Sequence, residues 1–117
     1  MDFKELMENI KKENGEIPKP LELLGQLDES LVVNHMTDKK FAYSKEAIPQ
    51  KYKALIALSA AIALDSQPCI LNNTKAAKKA WASVQEIMET FAVAKFSKAA
   101  TALSSSLSAL EWLVSNK

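Results

Sequence analysis

The side chains best suited to covalent or proton chemistry are few: one cysteine, Cys69, and one histidine, His35, among 117 residues. Cys69 follows Ser66-Gln67-Pro68. Proline suits the start of a helix, where its missing N–H is a donor that would have no intrahelical partner anyway. The spacing therefore predicts a helix from about Pro68 to Trp81, with Cys69 in its first turn. Unpaired amides and the positive end of the helix dipole favour a thiolate there. Ser66, three residues earlier, can donate a hydrogen bond to the sulfur if it curls over the helix start. Asn73, one turn later, is the second candidate hydrogen-bond partner. The competing reading is that Cys69 is a small, inert, buried hydrophobe.

His35 has no clustered Cys or His companions, and zinc or iron needs several ligands. It reads as a surface or partly buried side chain, and no metal or cofactor is assigned. A single cysteine cannot form an internal disulfide framework.

The elements that must position Cys69 read as helices throughout. Only two glycines and four prolines interrupt a chain dominated by good helix formers. Asp2 is placed to cap a first helix with Phe3, Leu6, Met7 and Ile10 on its apolar face, and Asn14-Gly15 to stop it. Pro18 and Pro20 break the chain before a short turn, Leu21 to Leu24, that Gly25 interrupts. Asp28 caps a third segment from Glu29 to about Tyr43, and Ser44 to Pro49 connect it onward. From Gln50 to Leu64, Tyr52, Leu55, Ile56, Ser59, Ile62 and Ala63 recur near helical spacing. Ser83 and Glu86 form a capping box for a sixth helix bearing Ile87, Met88, Phe91 and Ala92. A last helix, roughly Lys98 to Val114, carries Leu103, Leu107, Leu110 and Leu113 at three- and four-residue steps. Trp81, Phe91, Phe96 and Trp112 read as core or subunit-contact residues. The class is all-α, in one domain spanning 1–117 with its core at 48–116.

Bulk properties exclude several functions. The formal charge is +1, every basic residue is lysine, and none is arginine. Nucleic-acid binding, which favours a basic excess and arginine's planar fork, is therefore not expected. The lysine pairs Lys11-Lys12, Lys39-Lys40 and Lys78-Lys79 read as solvated helix faces, and no polybasic run suits an anionic membrane. The longest apolar run, Ala54 to Leu64, is about half the roughly 20 residues that a membrane span needs. The N-terminus lacks the apolar stretch of a signal peptide, so a cytoplasmic location is expected.

Three stretches carry a family resemblance: Ile48-Pro49-Gln50-Lys51-Tyr52-Lys53-Ala54-Leu55-Ile56-Ala57-Leu58, then Ala63-Leu64-Asp65-Ser66-Gln67-Pro68-Cys69-Ile70, then Thr74 to Ala80 followed by Glu86-Ile87. In order and spacing this chain resembles the AhpD-like branch of the carboxymuconolactone decarboxylase family, from about Leu21 onward and most sharply from Ile48 to Ala94. The resemblance implies a helical domain of six to seven helices, assembled as a trimer or hexamer. It also implies a peroxide-reducing site with a Cys-x-x-Cys pair, a His four residues after the second Cys and a Glu twelve before the first. Cys69 matches the second Cys. Ser66 stands at the first, Asn73 at the His and Ala54 at the Glu.

The chemistry of those replacements is definite. Serine cannot resolve a cysteine sulfenate as a disulfide. Asn73 hydrogen-bonds but exchanges no proton near neutral pH, and Ala54 does neither. Two readings follow: a single-cysteine, thiol-dependent peroxide reductase that needs an external thiol reductant, or a non-catalytic oligomeric member that binds a small ligand or partner. Decarboxylation is disfavoured, because Ser66 to Asn73 offers no His or Arg to hold a carboxylate.

Overall fold

The computed structural model describes residues 2–117, and its contacts divide the chain into two units, Met1–Lys45 and Glu46–Lys117. Seven α-helices and no strand occur among the described residues.

In the first unit, α1 (Phe3–Asn14) and α2 (Lys19–Leu27) each pack on α3 (Glu29–Ala42). Helix α1 starts where Asp2 accepts the Glu5 amide at 2.8 Å and stops at Gly15, whose φ of 82° suits a residue without Cβ. Helix α2 corrects one expectation: it runs through Gly25 instead of ending there. A Cβ at Gly25 would lie 2.7 Å from the Phe3 ring, so this glycine makes room for a neighbouring side chain and does not break the helix. Asp28 closes α2 and opens α3, accepting from both the amide and the hydroxyl of Ser30. These bonds hold its carboxyl below the usual value.

The second unit contains Cys69. Its centre is α4 (Gln50–Ala63), packed against α5 (Gln67–Lys79) and α6 (Val84–Ser105). The buried stripe of α4 is Ala54, Leu58 and Ala61, at i, i+4 and i+7. Of the positions the periodicity picked out, Leu55 and Ile62 pack against this stripe, while Tyr52 and Ile56 lie on an exposed side of the helix. The alanines let the neighbouring helices approach closely. Ala54, Leu58, Ala77, Ala82 and Ile87 form the core cluster, with Leu55, Ile62 and Ile70 against it.

Both turns in this unit share one geometry. After α4, the Ser66 amide reaches back to Ala61 O and the Asp65 amide to Ile62 O, with Asp65 at φ 57°. After α5, the Ala82 amide reaches Ala77 O and the Trp81 amide Lys78 O, with Trp81 at φ 70°. These are Schellman closures, in which a left-handed residue lets two amides satisfy the last carbonyls of a helix. Trp81 therefore lies outside α5 and is 90% exposed. Phe91, Phe96 and Trp112 are exposed too, which removes the core half of the expectation for all four aromatics.

The sequence placed one last helix at Lys98 to Val114. Instead α6 continues from its Ser83–Glu86 capping box to Ser105, and α7 (Leu107–Asn116) follows after a single residue. At that residue, Ser106, the backbone opens to φ −90° and ψ 4°, and its hydroxyl donates to Ala102 O. Such back-bonding by serine interrupts a helix ladder.

Candidate functional site

Cys69 is the third residue of α5, and Ser66 is its N-cap. The predicted position in the first turn is the observed one. The thiol is exposed, so within the chain Cys69 is not the buried hydrophobe of the competing reading. Ser66 makes no side-chain capping bond, and no hydrogen bond from it to Cys69 is present among the described residues. Its backbone is fully used: the amide closes α4 on Ala61 O, and the carbonyl accepts the Ile70 amide at 2.8 Å. The serine thus joins the end of α4 to the start of α5.

Asn73 lies one turn beyond Cys69, partly buried. Its side-chain amide donates to Ala57 O at 3.2 Å, tying α5 to the middle of α4. Ala54 is 6% exposed, inside the core cluster. Neither position carries a group that titrates near neutral pH, and both now hold the helices together.

Two ion pairs brace α4 against α6 at either end. Lys51 Nζ lies 3.0 Å from a Glu86 carboxylate oxygen, and Lys98 bonds Asp65 within the turn that leads from α4 into α5. The Ser83 amide and Lys51 together hold the Glu86 carboxyl below its ordinary range, and Glu86 in turn raises the Lys51 ammonium.

An open groove of about 360 Å³ runs between α4 and α6. Tyr52, Leu55, Ile56 and Ser59 line one side, with Glu89, Thr90 and Val93 on the other. Cys69 does not line it. The sequence held a signal for this feature, since Tyr52, Ile56 and Ser59 repeat at i, i+4 and i+7, but the pattern alone fits a buried face equally well. His35 is exposed on α3. No group of three or more His, Cys, Asp or Glu residues able to hold a metal occurs among the described residues. No described helix is long and apolar enough to cross a membrane.

An all-helical unit in which a tight turn feeds a helix bearing a cysteine in its first turn is the class that fold and site define. Residues 32–112 match the carboxymuconolactone decarboxylase family, and the chain belongs to that family. No curated protein matches the chain significantly.

Proposed function

We propose that the protein runs no internal dithiol cycle and reduces hydroperoxides through Cys69 as a single thiol, with an external thiol as reductant. The exposure of Cys69 at the start of α5 carries this reading, because an attacking sulfur must meet both its oxidant and its reductant. The thiolate attacks one peroxide oxygen, the O–O bond breaks, and the alcohol leaves after taking a proton from solvent. The resulting sulfenate condenses with one reductant thiol, releasing water and forming a mixed disulfide. A second reductant thiol then restores Cys69 and departs as a disulfide. The working form is a homo-oligomer of this chain.

A second reading has its own support. Asn73 and Ala54, at two of the family's proton-handling positions, serve packing instead, as expected of a non-catalytic oligomeric member that binds a small ligand or partner. One experiment separates the two. Intact-mass measurement after peroxide treatment, with and without a dimedone-type trap, should find trappable sulfenate confined to Cys69. Peroxide consumption driven by a small thiol should vanish in Cys69→Ser. An inert thiol with no turnover would leave the non-catalytic reading.

A further inference from the structure

The second half of α6 and all of α7 carry a repeat that packing within the chain does not use. Val93, Phe96, Ala100, Leu103, Leu107, Leu110 and Val114 follow one another at steps of three, four, three, four, three and four. That is the spacing of a coiled-coil seam over three heptads. At 100° per residue the seam falls on the side of α6 opposite Ile87 and Ala94, the residues it buries against the rest of its unit. Helix α6 is therefore apolar on two sides, only one of which is covered.

The six large seam residues are 44 to 73% exposed. Helix α7 touches only α6 and buries none of its residues. An isolated ten-residue helix is marginal in water, because nucleation costs more than so few hydrogen bonds return, and α7 has only its junction with α6 to lean on.

We propose that a second copy of this chain covers the seam, so that the Val93–Val114 stretches of two copies pair side by side. The inference rests on the oligomeric part of the proposed function and assigns it a surface. Three observations favour a copy over an unlike partner. The heptad spacing selects another helix with the same spacing, and the chain supplies one. The flanking positions Ser97, Ala99, Ser104, Ser106, Glu111 and Leu113 include a single charge, so identical copies meet with little like-charge repulsion. The exposed area of the seam is on the order of 700 Å² per copy, or about 1,400 Å² per pair, within the roughly 1,200–2,000 Å² of stable interfaces. The bend at Ser106 lies at one of the flanking positions, so it changes the direction of the seam without shifting the count of residues along it.

Sedimentation or light scattering of the full chain tests this against Leu107→Glu/Leu110→Glu, with Leu27→Lys as an exposed apolar control off the seam. The wild type and Leu27→Lys should share a mass that is a multiple of 12.9 kDa, while the double variant falls to a smaller one. The double variant should also lose the helical signal of α7. A wild-type monomer would overturn both the seam and the oligomeric reading, and if its helicity were undiminished α7 would belong against its own chain. An oligomer equally intact in the double variant would overturn the seam alone. Should the double variant fail to fold, Leu103→Cys in a Cys69→Ser background decides. Leu103 faces its own copy in a parallel pair, whereas in an antiparallel pair the two seam positions alternate and it faces Ala100 or Leu107. Mild oxidation should therefore link two chains carrying Leu103→Cys alone, or Leu103→Cys together with Ala100→Cys or Leu107→Cys, and no link in any of the three would overturn the proposal.

Discussion

Asn73 donates across 3.2 Å to a carbonyl sixteen residues away, and that one bond defines what its position now does. Asn73→Ala should lower stability by about 1 kcal/mol, the usual net worth of such a bond, as measured by urea unfolding. An unchanged midpoint would mean that the bond contributes nothing. Ala54 makes a harder case. Restoring a carboxylate with Ala54→Glu would bury an unpaired charge in the core cluster and should cost about 3 kcal/mol. A carboxylate at this position is therefore not tolerated by side-chain replacement alone. Trp81 points the other way, since a bulky residue at φ 70° is strained and here is almost wholly exposed. Trp81→Gly should raise stability by about 1 kcal/mol. A loss in thermal denaturation would instead reveal a contact that holds the indole.

Among the elements, the start of α6 has the most explicit electrostatics. Glu86 accepts the Ser83 amide at 2.9 Å and pairs with Lys51, so folding favours its ionised form. A carboxyl lowered in the folded state stabilises fully above its unfolded value, here near 4.5, and loses that contribution as pH falls through the folded value. Lys51 is raised, so its share is present below about 10.5 and disappears as pH climbs through the raised value. The melting temperature of Glu86→Gln should therefore lie below that of wild type at pH 6, with the gap closing on acidification below pH 4. A gap that does not narrow at all on acidification would assign the effect to something other than this carboxylate. The Schellman turns matter at the same scale. The one after α4 fixes where α5 begins, and so where Cys69 sits.

At the scale of the whole molecule, unusually little apolar surface is covered. Among the described residues only nine hydrophobic ones are buried, while twenty-two large ones are exposed, so folding of the single chain leaves much of its driving force unused. Association of copies would recover it. The thermal midpoint should then rise with protein concentration, because mass action stabilises any state that binds its own kind. A midpoint constant over a hundredfold dilution would count against a reversible oligomer.

Several helix ends were legible in the sequence because they depend on residues within four positions of one another, although the helix through Gly25 and the interruption at Ser106 were not. Asp2, Gly15, Asp28, Pro49 and the Ser83–Glu86 box each satisfy or terminate backbone groups at their own helix end, and each is found where its neighbours imply. That the chain carries a single thiol was equally legible, because residue identity alone fixes it. Burial was not. Whether Tyr52 or Ala54 faces inward, why Gly25 is a glycine, what Asn73 bonds and whether Cys69 meets solvent depend on chain segments distant in sequence. Helix periodicity states that a face is apolar, and only tertiary packing decides which apolar face is covered. For Cys69 the sequence supplied the first turn of α5, and the fold supplied the open surface around it, because the three helices that make the core close on Ala54, Leu58 and Ala77 and leave that helix start outside.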